Sequence, residues 1–238
     1  MVVNITVGEL WKEYEVLRGQ KGFLQHMLFC KKLRESDQPE FLDFHYWLLS
    51  DRSVNKELYQ QLRRAFEKRG PAAEKYLQER ITSEKDRSLQ GDILQILGGM
   101  KYYGGKDLGR TVELARDFLA SDDDCLRCRA IWVLGWLGTQ ADIDHFLSDR
   151  LLHDANCENR GWAASAMMQI YFSEPATAER SLGYLRQAIR TEDDYFALEL
   201  ILVSIQEITG KKLGLKPGSR TRASKEAVDK ALNKALGL

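Results

Sequence analysis

The stretch Asp123-Asp124-Cys125-Leu126-Arg127-Cys128-Arg129-Ala130-Ile131-Trp132-Val133-Leu134-Gly135 decides how the rest of the chain is read. Its apolar positions Leu126, Ala130, Val133 and Leu134, continued by Leu137, recur at steps of three and four. That spacing is the stripe of an amphipathic helix, not the alternation of a strand. Acidic residues stand directly before the stripe, where side-chain oxygens cap free N–H groups and negative charge meets the positive end of the helix dipole.

The pattern repeats. Ile93, Ala130, Ala163 and Ile201 hold like places in four segments, each behind a polar or acidic turn, at spacings of 37, 33 and 38 residues. A further helical segment precedes each, over 71–82, 109–120, 141–152 and 176–189. Two helices per ~30–47 residues is the period of an α-solenoid, because one helix pair cannot cover its own apolar face and neighbours must stack. The acidic residue, Leu126-Arg127, Ala130 and the Leu134-Gly135 ending resemble the second helix of a HEAT repeat. The unit over 86–98 keeps Asp86, Leu89 and Leu97-Gly98, with Gln90 and Ile93 where that family prefers Arg and Ala. Arg160, Ala163 and Met167 match in the third unit, and the fourth, from Asp194, keeps little beyond apolar spacing. The resemblance covers about residues 71–210. It implies an all-α fold, a right-handed α-solenoid of HEAT-like antiparallel helix pairs.

Outside those repeats, helices are predicted over 7–18, 22–35, 39–49 and 54–69, continuing the stack as a capping region over residues 1–70. Gly210 is a helix stop, and residues 211–238 form a basic loop with a last helix near 224–236, whose Val228, Ala231, Leu232 and Ala235 cover the exposed end. Residues 71–210 carry 15 basic and 23 acidic residues, net −8, and residues 211–238 carry eight and two, net +6. The acidic clusters 122–124 and 192–194 fall in equivalent turns. Their first expected role is stabilising the helix that follows; a further one is an acidic ridge that attracts a basic partner.

Composition bounds the rest. With 238 residues, 44% of them hydrophobic, the chain can bury a sizeable core. Thirty-five basic against 35 acidic residues exclude a polyanion or a histone-like polycation, and four prolines exclude a Pro-rich linker. No apolar run reaches the ~18–20 residues of a membrane span, and Glu9 interrupts any leader-like start. Four cysteines without a secretion signal are read as reduced thiols in a cytoplasmic protein that is monomeric when free.

No residue set spells out catalysis. Cys125 and Cys128 with His153 and Cys157 of the next repeat match the count of a structural zinc site, but the CxxC lies on a helix that resembles a metal-free repeat, so neither metal nor cofactor is expected. None of His26, His45, His145 and His153 sits in a metalloprotease pattern, and no Gly-rich loop follows a strand. The aromatic residues carry more. Arg129, Trp132 and Trp136 fall opposite the apolar stripe of their helix, Trp162, Ser165 and Gln169 match them in the next repeat, and Asp92 and Gln95 in the preceding one. Second helices of such repeats line a concave face, and tryptophan with arginine is the composition of a binding hot spot. Trp11 and Trp47 are instead expected to fill gaps between repeats. Bacterial immunity proteins that neutralise a cognate toxin include compact HEAT-like solenoids, so the resemblance implies one basic protein partner, such as a nuclease toxin domain, bound by occlusion. HEAT-like alkylpurine DNA glycosylases are the enzymatic alternative. This chain has no Trp-Trp-Asp segment to match them, and its repeats are net acidic, which opposes phosphate binding. A general scaffold or assembly factor, or a lyase-type chaperone subunit, is the third.

Overall fold

A computed structural model describes residues 5–218 and 222–237. The described residues are helical throughout, without strands: an all-α fold. They group into two compact units, Met1–Thr111 and Val112–Leu238.

In the first unit, α1 (Val7–Leu17), α2 (Phe23–Leu33), α3 (Pro39–Ser50), α4 (Lys56–Glu67), α5 (Pro71–Ile81) and α6 (Arg87–Gly99) pack as pairs α1–α2, α3–α4 and α5–α6. The second members, α2, α4 and α6, also touch in succession. Residues 1–70 therefore pair their helices as the following segment does. The division between units falls within α7 (Leu108–Phe118). In the second unit come α8 (Asp124–Leu137), α9 (Gln140–Asp142), a π turn over Ile143–Leu147, α10 (Ser148–His153), α11 (Cys157–Ser173), α12 (Ala178–Ala188), α13 (Tyr195–Thr209) and α14 (Lys225–Leu236). Here α8, α11, α13 and α14 touch in succession, while α10 and α12 back α11 and α13 and touch each other.

The caps explain the repeat spacing. Asp86, Asp123, Asn156 and Asp194 are the N-caps of α6, α8, α11 and α13, each accepting a backbone N–H of the first turn. Ile93, Ala130, Ala163 and Ile201 each lie seven residues beyond their cap and are fully buried. The N–H of every one of these caps is in turn accepted by the side chain two residues earlier: Glu84, Ser121, Asp154 and Glu192. Four residues past the cap, Arg127 and Arg160 do one job twice. Each donates to the carbonyl six residues before it (Ser121, Asp154) and grips the acid that leads the next turn (Asp154, Glu192). Gln90, in the same place on α6, donates to Ile81 O and does part of that work.

Tyrosine–carboxylate clasps join elements 33 or more residues apart. Tyr14 donates to Asp51, Tyr46 to Glu84, Tyr59 to Asp92 and Tyr76 to Asp43. In all four, burial and then the carboxylate hydrogen bond raise the phenol's pKa, so the hydroxyl stays a donor. Between α3 and α4, the buried His45 donates from Nε2 to Leu62 O at 3.0 Å and accepts at Nδ1 from Arg69 Nε at 3.0 Å. That fixes the neutral tautomer, since a second ring proton would face an N–H donor. Burial and then the Arg69 charge hold its pKa well below the ordinary 6.5. The unfolded chain takes up a proton here near pH 6.5 and the folded chain does not. Stability is therefore full above that pH and falls below it, by up to about 1.4 kcal/mol per pH unit. Melting followed from pH 7.5 to 5.5 is expected to show this slope, and His45→Asn to flatten it although starting lower. An equal slope in both proteins would contradict the assignment.

One expectation needs correction. Trp11 and Trp47 are about 40% exposed, at 41% and 38%. Their rings lie 4.5 Å apart over Phe44, while Tyr14 and Leu48 take the interior positions. They cover the outside of the α1–α3 packing instead of filling a gap. Gly98 and Gly99 are the buried last turn of α6, and a 3-10 turn over Met100–Tyr103 follows before Gly104 reverses the chain at φ +84°.

At the far end, α13 stops at Gly210 in the left-handed conformation. Gln206 then holds the basic loop from one side chain, accepting from the Leu213 and Gly214 N–H groups and donating to Leu215 O. Val228, Ala231 and Ala235 of α14 are buried against the unit, and Leu232 is half-buried.

Candidate functional site

The candidate site lies in the second unit, where α8, α11 and α13 run side by side. Small residues set their spacing. A Cβ on Gly135 would come 2.9 Å from Ala166 Cα, and one on Gly161 would come 2.9 Å from Leu200 Cδ1 and 3.2 Å from Ala197 Cα. With the backbones this close, the large side chains are displaced to the face of the layer. There Trp132 meets Trp162 edge-on, with centroids 5.3 Å apart at 83°, and Trp162 meets Phe196 at 5.9 Å and 69°. Cations close both ends of this aromatic row. The Arg129 guanidinium lies 4.7 Å from the Trp132 ring centre, and Arg222 lies 4.4 Å from Phe196 and 3.9 Å from a Glu158 carboxylate oxygen.

Beside the row opens a cleft of about 440 Å³. Trp162, Ser165, Gln169, Phe196 and Leu200 form its helical wall, and Lys216, Pro217 and Arg222 border it from the basic loop. Glu199 is fixed on this wall by accepting the Ala223 N–H at 3.0 Å. Two polar atoms at the α8–α11 seam, Trp132 Nε1 and Gln169 Oε1, are buried without a hydrogen-bond partner among the described residues, a cost of about 1–3 kcal/mol each. The rings of Trp132, Trp162 and Phe196 are half-buried. Their neighbours leave each of them partly open to solvent.

Of the residues read from sequence, Arg129, Trp132, Trp162 and Gln169 come together on this face, and Ser165 lies in the cleft wall, largely buried. Trp136 is half-buried one turn along α8 from Trp132. Asp92 and Gln95 belong to the first unit. Asp92 is buried, accepts from Tyr59 Oη and lies 3.7 Å from an Arg63 nitrogen, and Gln95 accepts from the same Arg63. Phe196 and Arg222 were missed. The row runs diagonally, nine, six and two residues past the caps of α8, α11 and α13. Those offsets share one helix face but step back about a turn each time, so aligning helices at equal height passes over Phe196.

The acids of the turns are largely engaged. Asp123 and Asp194 are caps, Asp124 pairs with Arg127, and Asp154 and Glu192 hold Arg127 and Arg160. Asp122 and Asp193 are exposed. The cysteines do not assemble a centre. No group of three or more His, Cys, Asp or Glu side chains among the described residues is placed to hold a metal ion. Burial pushes the Cys128 thiol up to about 12, the reverse of what a redox-active thiolate needs. No helix among the described residues is long and apolar enough to cross a membrane. No protein-family model matches the chain, and no curated protein matches it.

Proposed function

We propose that this chain is a non-enzymatic protein-binding α-solenoid of HEAT-like helix pairs, and that its partner docks on the Trp132–Trp162–Phe196 row. The row itself carries the reading. Large half-buried rings, locked edge-to-face and flanked by Arg129 and Arg222 beside an open cleft, have the composition and rigidity of an interaction hot spot. The recurring cap, the buried anchor seven residues on and the Arg-to-acid grip support the repeat architecture.

The sharper form of the proposal is immunity: the partner is a toxin domain, such as a nuclease, and the chain neutralises it by covering its active or substrate-binding surface. Exposed Asp122 and Asp193 near this layer favour a basic partner, although most acids of these turns are engaged in holding the fold. The experiment is affinity capture of the tagged full chain from its native cells, with bound material identified by mass spectrometry. One small basic protein recovered in equal amount, and inhibited in the complex, is the expected result. Recovery of nucleic acid, with excision of alkylated bases by the purified chain, would replace this reading by the glycosylase one.

A further inference from the structure

The first unit carries a second surface of different chemistry. Helix α2 contains no acidic residue, and its Phe23, Leu24, Met27 and Leu28 are each at least 43% exposed. Four exposed apolar side chains within two turns of one helix are more than the scattered single residues of an ordinary surface. Two of them, Met27 and Leu28, line a cleft of about 210 Å³ between α2 and α4. Met27, Leu28, Cys30 and Ala65 line its apolar part; Cys30 and Ala65 are buried, and burial pushes the Cys30 thiol up to about 12, so that part of the wall is uncharged.

Four cations border the same cleft: Lys31 and Arg34 from the α2 side, Arg64 and Lys68 from α4. No carboxylate is among its lining residues. The two walls are helical stripes. Leu24, Met27, Leu28, Lys31 and Arg34 share one helix face at offsets of 0, 3, 4, 7 and 10 residues, as do Gln61, Arg64, Ala65 and Lys68 at 0, 3, 4 and 7. Lys31, in the last turn of α2, also suits the negative end of that helix dipole. Arg64 does the same in the last turn of α4, Arg34 Nε donates to Cys30 O, and Lys68 lies over the Tyr103 ring and, with Arg64, near the Glu67 carboxylate. These contacts seat the cations; the lining of the cleft itself remains one-signed, so an anionic occupant is favoured there.

We propose that this cleft binds an acidic amphipathic helix of a partner protein, its apolar stripe laid on Met27 and Leu28 and its carboxylates paired with Lys31, Arg34, Arg64 and Lys68. The apolar part distinguishes this occupant from a nucleic acid, which would leave Met27 and Leu28 without an apolar partner. A concave seat between two helices distinguishes it from a lipid surface, which takes a protruding face. The mode is a helix in a groove, with apolar anchors for affinity and a charged rim for orientation. It goes beyond the reading of the second unit and stands or falls without it.

The test uses the full chain and a fluorescein-labelled synthetic peptide of about 18 residues, long enough to hold a helix on the surface, with a leucine stripe and glutamates elsewhere. Two companion peptides carry lysines for the glutamates, or the same composition with the stripe scrambled. Saturable micromolar binding of the first peptide alone is expected, weakening steeply with salt. Arg64→Glu with Lys68→Glu is expected to lower the affinity at least about tenfold, and Leu28→Asp, which leaves the charges near Glu67 alone, is expected to do the same with helicity retained. Trp162→Ala is expected to leave peptide binding intact, which separates this surface from the row on the second unit. The proposal is overturned if the scrambled or lysine peptide binds equally well, if the charge reversals change nothing, or if vesicles with a quarter anionic lipid bind the chain where the peptide does not.

Discussion

Replacing Arg127 with methionine is expected to destabilise the protein by about 3–5 kcal/mol, because it strands a buried carboxylate. Asp154 has no exposed side-chain surface and Arg127 very little. The guanidinium grips both oxygens, from Nε at 3.0 Å and from Nη2 at 2.9 Å. Without it, Asp154 retains, among the described residues, Arg150 at 3.4 Å, the Asn156 N–H at 3.0 Å and a long contact from Asn159. In a chain of this size the loss corresponds to about 6–20 °C in melting temperature. The double variant Arg127→Met, Asp154→Leu removes both charges and is expected to regain at least half of the loss, since a buried pair is costly to break but cheap to replace with apolar side chains. A single variant that melts within 2 °C of the parent would mean that the pair is not desolvated.

The same pair sets an acid limit. Burial alone would raise the pKa of Asp154, but hydrogen bonds from Arg127 and the Asn156 N–H, with the charges of Arg127 and Arg150, bring it below the ordinary 3.8. A lowered carboxylate contributes stability that is present above its unfolded pKa and is lost as pH falls through the folded one. The loss from this pair therefore begins below about pH 4, separate from the His45 slope near pH 6.

How much of this was legible from sequence depends on where the constraint resides. The helices were legible because caps and apolar steps are local: Asp123, Asn156 and Asp194 sit seven residues before buried Ala130, Ala163 and Ile201, and that interval is visible in one dimension. Trp132 and Trp162 were legible as residues that their own stripes leave unused. The ends of the row were not. Phe196 joins through a shift of about one turn between α11 and α13, set by how closely Gly161 lets Ala197 approach. Arg222 arrives on a loop whose course is held by Gln206 and Glu199. Neither relation leaves a periodic signal. The helix-starting role of the acidic turns was legible because a cap is local, whereas the grip of Arg127 on Asp154 and of Arg160 on Glu192 spans 27 and 32 residues and leaves no local signal.

Trp162→Ala is expected to weaken binding of the captured partner by about 2–4 kcal/mol, about 30- to 1000-fold in Kd. Trp162 is the one ring in contact with both others, at 5.3 Å from Trp132 and 5.9 Å from Phe196, and it also walls the cleft. Removing it takes away the central anchor and the packing that holds the two outer rings upright, so the effect should exceed that of Trp132→Ala or Phe196→Ala. Because the ring is half-buried, the fold loses less than from a core tryptophan. Calorimetric titration against the partner, beside thermal melting, separates the two roles. Trp162→Phe keeps an edge-to-face ring and is expected to restore the melting temperature fully and the affinity only in part, since phenylalanine covers less area and offers no N–H. If affinity and melting temperature fall together in the alanine variant and return together in the phenylalanine one, the row is a packing device, and the partner must be sought on another face.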